Sequence, residues 1–173
     1  MMLTRRRLLA AGLLLPLEGL AQTCGPLTLR QTEGPFFTPN SPLRASLVEP
    51  SSPGRRLVLA GRVLDGQCRP QPGALVDLWH ADEKGAYDNQ GYRYRGHLFA
   101  DAQGRYRFET IVPARYTGRT PHYHVKVQPR GGRVLTTQLY FPGEPANRRD
   151  FLYRPELEMR MEGEAGLFDF VVA

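Results

Sequence analysis

From Arg56 onward the chain is a succession of short stretches in which apolar and polar side chains alternate, separated by clusters of Gly, Pro, Asn and Asp. A period of two marks strands with one face on a core. "RLVLAGRVL" ends at an Asp65-Gly66 turn. "ALVDLWH" puts Leu75, Asp77 and Trp79 on one face and Val76, Leu78 and His80 on the other. "GHLFAD" and "GRYRFET" flank a turn at Ala102-Gln103-Gly104, and "HYHVKVQ", "VLTTQLYF" and "GLFDFVVA" complete the series. No long helical period appears; a short helix fits only near "EPANRRDFLY". About seven strands with turn signals between them predict an all-β fold, a single β-sandwich or barrel domain over residues 56–173. There is no internal repeat, low-complexity tract or second domain.

Two segments precede that domain. Residues 22–55 are rich in Pro, Ser, Thr and Gly with little periodicity, and read as an extended N-terminal arm over the domain surface. Residues 1–21 combine a basic start, a short apolar run and small residues at Gly19 and Ala21, the pattern of a signal peptide cleaved near Ala21. The apolar run is short for a membrane span. Arg5-Arg6-Arg7 fits a twin-arginine signal, with a plain secretory signal as the alternative. The expected location is therefore periplasmic or secreted, with no membrane partner for the mature form.

The full chain carries 23 basic and 17 acidic residues, net +6, which becomes +4 once three arginines and Glu18 leave with residues 1–21. The arginines are scattered without an aromatic-interleaved stripe, which argues against nucleic acid. Cys24 and Cys68 are the two cysteines. Export to an oxidising compartment makes one disulfide the expectation, with two free thiols as the alternative.

Candidate chemistry sits in "RTPHYHVKVQ". On a strand His122, His124 and Lys126 share one face, and Tyr123, Val125 and Val127 the other, which is the core face. Two imidazoles side by side suit a metal ion; taken alone, the pair reads rather as two polar residues on a solvated face. Upstream, Tyr116 lies six residues before His122 and Tyr87 lies in the turn-rich "WHADEKGAYDNQG". Two phenols and two imidazoles suit ferric iron, because phenolate is a hard anionic donor. A free phenol with a pKa of about 10 needs a strong positive charge to ionise at neutral pH. A zinc site would want further Cys, His or carboxylate ligands. A ferrous facial triad would want a carboxylate beside the His pair, where Tyr123 stands.

At these residues the sequence resembles the intradiol ring-cleavage dioxygenases, and looks closest to their protocatechuate 3,4-dioxygenase-like branch. The resemblance runs from about Gln31 to about Glu144 and rests on "QTEGPFF", "GALVDLWHADEKGAYDN", "PARYTGRTPHYHVKV" and "LTTQLYFPGE", in that order. It implies a β-sandwich, in agreement with the strand pattern. It implies four ligands to non-haem Fe(III), Tyr87, Tyr116, His122 and His124, with Tyr116 the ligand released when a catechol binds. It also implies roles near the substrate for Arg119 and Gln138, whose ordinary readings are a surface charge and a strand amide. Trp79 is read as packing the core. The implied reaction is cleavage of catechol-type small molecules with O2 as co-substrate to cis,cis-muconate-type diacids, with no organic cofactor. A homo-oligomer is the expected assembly. The competing reading is an exported, non-catalytic sandwich of the transthyretin-like or carbohydrate-binding kind; a metalloprotein that stores or senses iron is a third. The "QTEGPFF" stretch is expected to fold back near the iron and wall the pocket.

Overall fold

The computed structural model describes residues 24–49 and 52–173. The signal-peptide segment, residues 1–21, lies outside the described residues. Among the described residues nine strands form two sheets: β1 (Arg56–Asp65), β2 (Leu75–Trp79), β3 (Arg95–Phe99), β4 (Arg105–Ile111), β5 (His122–Gln128), β6 (Leu135–Tyr140), β7 (Arg160–Glu162), β8 (Ala165–Leu167) and β9 (Phe170–Val172). One sheet runs β4-β1-β8-β7 with β9 also on β1; the other runs β3-β2-β5-β6. The predicted sandwich is the observed fold. The expected short helix is a 3-10 turn, Pro145–Arg149, and a second, Pro155–Leu157, follows.

The inner faces close on each other. Val76, Leu78, Tyr123, Val125, Val127 and Leu139 from one sheet meet Leu57, Leu59, Val63, Phe108 and Phe170 from the other, all buried. Each such side chain contributes about 1.5–3 kcal/mol by leaving water.

Two departures from the alternation pattern have local causes. "GLFDFVVA" is two strands, because the Asp169 carboxylate takes the place of a ladder carbonyl and accepts from Arg62 N at 2.8 Å. The Phe168 carbonyl presses onto Gly61 there, and a Cβ at Gly61 would sit 1.8 Å from that oxygen. Strand β7, "RME", is three residues long and mostly exposed, so it carries no alternating signal.

The arm is extended, as expected, and it seals edges. Gln31 N donates to Thr136 O on β6 at 2.8 Å. His97 N on β3 donates to Pro42 O at 3.0 Å, and Glu109 N on β4 donates to Ala45 O at 2.9 Å. Covering exposed strand edges in this way removes templates for unwanted pairing. Cys24 and Cys68 form a disulfide with Cα atoms 5.2 Å apart, which anchors the start of the arm to the turn after β1.

Candidate active site

The outer face of the β3-β2-β5-β6 sheet carries the polar cluster. Register sets it in rows. Arg95 lies opposite Trp79, Trp79 opposite His124, and His124 opposite Gln138. The next row pairs His122 with Tyr140. Directly opposed residues of an antiparallel pair share a face, so six side chains from four strands stand together. Loops then add Tyr87, from the β2–β3 connection, and Tyr116 and Arg119, from the β4–β5 connection.

His122 and His124 are each 3 % exposed, so their face is buried rather than solvated. Their Nε2 atoms lie 3.1 Å apart. Tyr87 Oη is 3.1 Å from His124 Nε2 and 3.5 Å from His122 Nε2. His122 Nδ1–H donates to Thr120 O at 2.6 Å, which fixes the tautomer and turns the Nε2 lone pair toward the common point. His124 Nδ1 is buried without a partner, so that ring's polar engagement is at Nε2. Burial, aided by the Arg119 charge, lowers the His122 pKa to about 4. Burial and the neighbouring His122 hold His124 well below the ordinary value. Both rings are thus neutral lone-pair donors near pH 7. Burial pushes the Tyr87 phenol well above its ordinary value, so it ionises only against a strong nearby positive charge.

These donors fit one metal ion. Ligands about 2.1 Å from a common ion at angles of about 90–109° lie about 3.0–3.4 Å apart. Two of the three separations, both 3.1 Å, fall within that spacing, and the third, 3.5 Å, lies just beyond it. Among the described residues no group of three or more His, Cys, Asp and Glu side chains is placed to hold an ion; the protein donor that meets both imidazoles at this point is the Tyr87 phenol. Tyr116 joins through its ring, edge-on to Tyr87 at 5.6 Å between centroids. Three of the four predicted ligand residues therefore converge at their donor atoms, and the fourth adjoins them.

Arg119 and Gln138 are brought together beside the cluster. Arg119 Nε donates to Asp150 at 2.8 and 2.9 Å, and its Nη2 donates to Gln138 Oε1 at 2.6 Å. Gln138 is fully buried, and its Nε2 donates to Thr32 O of the arm at 3.0 Å. The Arg119–Asp150 pair is nearly dry, with side chains 12 % and 0 % exposed, so it fixes the guanidinium rigidly.

Trp79 departs from the expected core role. It is buried, but on the outer face. Its indole stacks on His124 at 4.9 Å with 9° between planes, and Phe37 packs against it at 4.9 Å. The cause is parity: Trp79 shares a face with Asp77 and sits opposite His124.

The arm roofs the cluster. Phe36 stacks on Tyr87 at 4.5 Å and meets the Tyr116 ring edge-on at 5.0 Å. Gly34, at φ +73°, lies against the His124 ring, where a Cβ would be 3.2 Å from Cε1. Glu33 pairs with Lys126, and the Lys126 ammonium lies 3.3 Å from the Phe37 ring centroid.

Three participants escaped the sequence reading. Arg95 is 1 % exposed and donates to Asp88 O at 2.7 and 2.9 Å and to Phe36 O at 2.6 Å. It ties the Tyr87 loop to the arm. Tyr140 bonds Gln31 and Gln138, with its phenol pKa raised by burial to about 12. Its two-residue spacing from Gln138 was a usable signal. Asp150 had none; it arrives from a loop remote in sequence.

A family model described as dioxygenase matches residues 32–163. The chain belongs to the intradiol ring-cleavage dioxygenase family. It is 32 % identical over 155 residues to the catechol 1,2-dioxygenase of Acinetobacter baylyi, covering 73 % of this chain and 50 % of that protein. It is 34 % identical over 119 residues to the protocatechuate 3,4-dioxygenase beta chain of Burkholderia cepacia, covering 58 % of this chain and 51 % of that one. The two branches thus match at similar identity. The chain spans about half the length of the curated relatives it matches. Among solved structures, the dioxygenase domain of a dioxygenase–carbohydrate-binding protein fusion from Streptomyces sp. SirexAA-E is 51 % identical, with a TM-score of 0.82 over 85 % of this chain and 98 % of that one.

Proposed function

We propose that this protein is an Fe(III)-dependent intradiol dioxygenase that opens catechol-type rings with O2 to cis,cis-muconate-type diacids. The observation that carries the reading is the convergence of Tyr87 Oη, His122 Nε2 and His124 Nε2 within 3.1–3.5 Å of one another. Tyr87, Tyr116, His122 and His124 are the residues to hold the iron. Bound there, ferric iron supplies Lewis acidity that ionises the phenols, orients the two oxygens of a catechol and activates the ring toward O2.

The chain's own groups do the rest. A catechol must lose its hydroxyl protons to bind as a chelate, and half-buried Tyr116, ionised as a ligand to the iron, would be the phenolate that takes one as it is released. Arg119, locked by Asp150 and Gln138, presents a fixed positive charge that stabilises negative charge on the substrate. Phe36, Phe37 and Trp79 exclude water from the histidines.

Export is part of the proposal. The Cys24–Cys68 disulfide supports an oxidising compartment, and residues 1–21 supply the signal. A self-sufficient homo-oligomer acting on external aromatics is the corresponding assembly.

Oxygen consumption by the iron-loaded protein with catechol, followed by mass and ultraviolet analysis of the product, tests the reading. A muconate is expected. A semialdehyde as the main product, or no oxygen uptake, overturns it.

A further inference from the structure

Arg95 opens β3 on the outer face of the active-site sheet and is 1 % exposed. A buried charge is costly unless it is paired. Among the described residues Arg95 has no ion-pair partner. The Asp77 and Asp88 carboxylates act on it only at a distance. The Asp88 carboxylate is taken up by its own loop, accepting from Gln90 N at 3.0 Å, Gly91 N at 2.8 Å and Arg93 N at 2.9 Å. The guanidinium is met by carbonyl oxygens instead. Nε and Nη2 donate to Asp88 O at 2.9 and 2.7 Å, and Nη1 donates to Phe36 O at 2.6 Å.

Those two carbonyls belong to the segments that carry Tyr87 and its cover. Asp88 follows Tyr87 in the chain, and the Phe36 ring stacks on Tyr87 at 4.5 Å. A planar fork with fixed N–H directions sets the two backbones relative to each other. The same guanidinium lies 6.0 Å from the Tyr87 ring centroid, within reach of a cation–π attraction. The backbone just before it is strained. Tyr94 has φ +53°, a conformation that a bulky residue rarely adopts and that persists only where its surroundings enforce it. Tyr94 is buried in the core and stacks on His80, while Arg95 lies opposite Trp79 on the outer face. Consecutive residues thus anchor the core and the site.

We propose that Arg95 is a positioning residue for Tyr87. Its fork joins the Tyr87 loop to the Phe36 roof, so that iron binding and seating of the arm reinforce each other, and its charge stabilises the electrons of the Tyr87 ring. The inference rests on the intradiol reading above and adds to it a residue that acts through Tyr87 and Phe36. Coupling of this kind is reciprocal: holding the Tyr87 loop in place disfavours opening of the arm, and a seated arm favours the ion. Fork and charge are separable, because lysine keeps the charge as a compact point donor and glutamine lacks it. Phenolate-to-iron charge transfer moves an electron from ring to metal. A positive charge beside the ring lowers the donor level, so removing it shifts the band to longer wavelength.

The test is amide hydrogen exchange of segments 33–41 and 86–92, metal-free and with Fe(III), together with the visible spectrum of the Fe(III) protein, in wild type, Arg95→Lys and Arg95→Gln. Without metal, exchange should be about tenfold faster in both segments of both variants. Fe(III) should slow exchange of segment 33–41 in the wild type and much less in the variants. The band should move to longer wavelength in Arg95→Gln and keep its wild-type position in Arg95→Lys. Wild-type exchange in either segment of both variants, or an unshifted band in Arg95→Gln, overturns the proposal. Should Arg95→Gln fail to fold, Arg95→Lys decides it through exchange, and wild-type rates in either segment overturn it. A wild type that takes up no Fe(III) would instead fail the intradiol reading, and the metal-free comparison would still decide whether Arg95 joins the two segments.

Discussion

The two faces of the β3-β2-β5-β6 sheet are both buried, by different means. The inner face is apolar and is covered by the second sheet, with Tyr123, Val125 and Val127 all inaccessible. The outer face is polar and is covered by an extended arm, with His122, His124, Gln138 and Arg95 at 0–3 % exposure. Adjacent residues of one strand therefore serve opposite ends. Hydrophobic burial stabilises the inner face outright. The outer face buries imidazole, phenol and guanidinium groups at a cost, and offsets that cost with hydrogen bonds. The lesson is that this fold separates stability from chemistry by strand parity, so mutations on the two faces should fail in different ways.

The largest expected effect is on the inner face. Phe108→Ala should lower unfolding free energy by about 3–5 kcal/mol, read by urea denaturation, while the folded fraction still binds iron. Equal losses of stability and of iron per folded molecule would break the separation.

Acid sharpens the same contrast. His80 points inward, donates from Nδ1–H to Ala81 O at 2.7 Å, accepts at Nε2 from the Thr110 hydroxyl at 2.6 Å, and stacks on Tyr94. Burial lowers its pKa to about 4 from 6.5. The unfolded chain takes up the proton first, so this contribution is intact above about pH 6.5 and is lost as pH falls toward about 4. A shift of that size corresponds to about 3 kcal/mol. The difference in stability between pH 7 and pH 4 should be smaller in His80→Gln than in wild type; an unchanged difference would remove His80 as a cause.

On the outer face the effect should appear in turnover. Arg119→Ala should reduce kcat by about 10²-fold, the scale of one electrostatic stabiliser, with iron retained. Unchanged kcat takes Arg119 out of the mechanism. The smallest effect should come from the arm latch. Lys126→Ala removes the Glu33 pair and the contact with Phe37, worth about 1 kcal/mol. It should raise KM severalfold and leave the iron absorption in place; an unchanged KM would mean that the latch does not shape the pocket.

The strand alternation made most of the sandwich legible, because period-two burial is a local signal. The His122–His124 pair and both tyrosines were legible from motif order. What the sequence concealed was tertiary. Trp79 read as core because burial on an arm-covered face looks like burial in a core. Arg95, in "YRYRGHL", resembles a surface cation, and only its register with Trp79 places it under the arm. Asp150 lies 31 residues from Arg119 with no periodicity connecting them. The β8–β9 break depends on Asp169 reaching Arg62 across 107 residues, which no local pattern encodes.

The central claim is that the outer face holds ferric iron through phenolate and imidazole. The most direct measurement is iron content together with the visible spectrum of the Fe(III)-loaded protein, in wild type and in Tyr87→Phe. About one ferric ion per chain and a red-brown phenolate-to-iron charge-transfer band, altered in Tyr87→Phe, are the predicted result. A colourless protein after iron loading, or a band identical in Tyr87→Phe, would contradict the account.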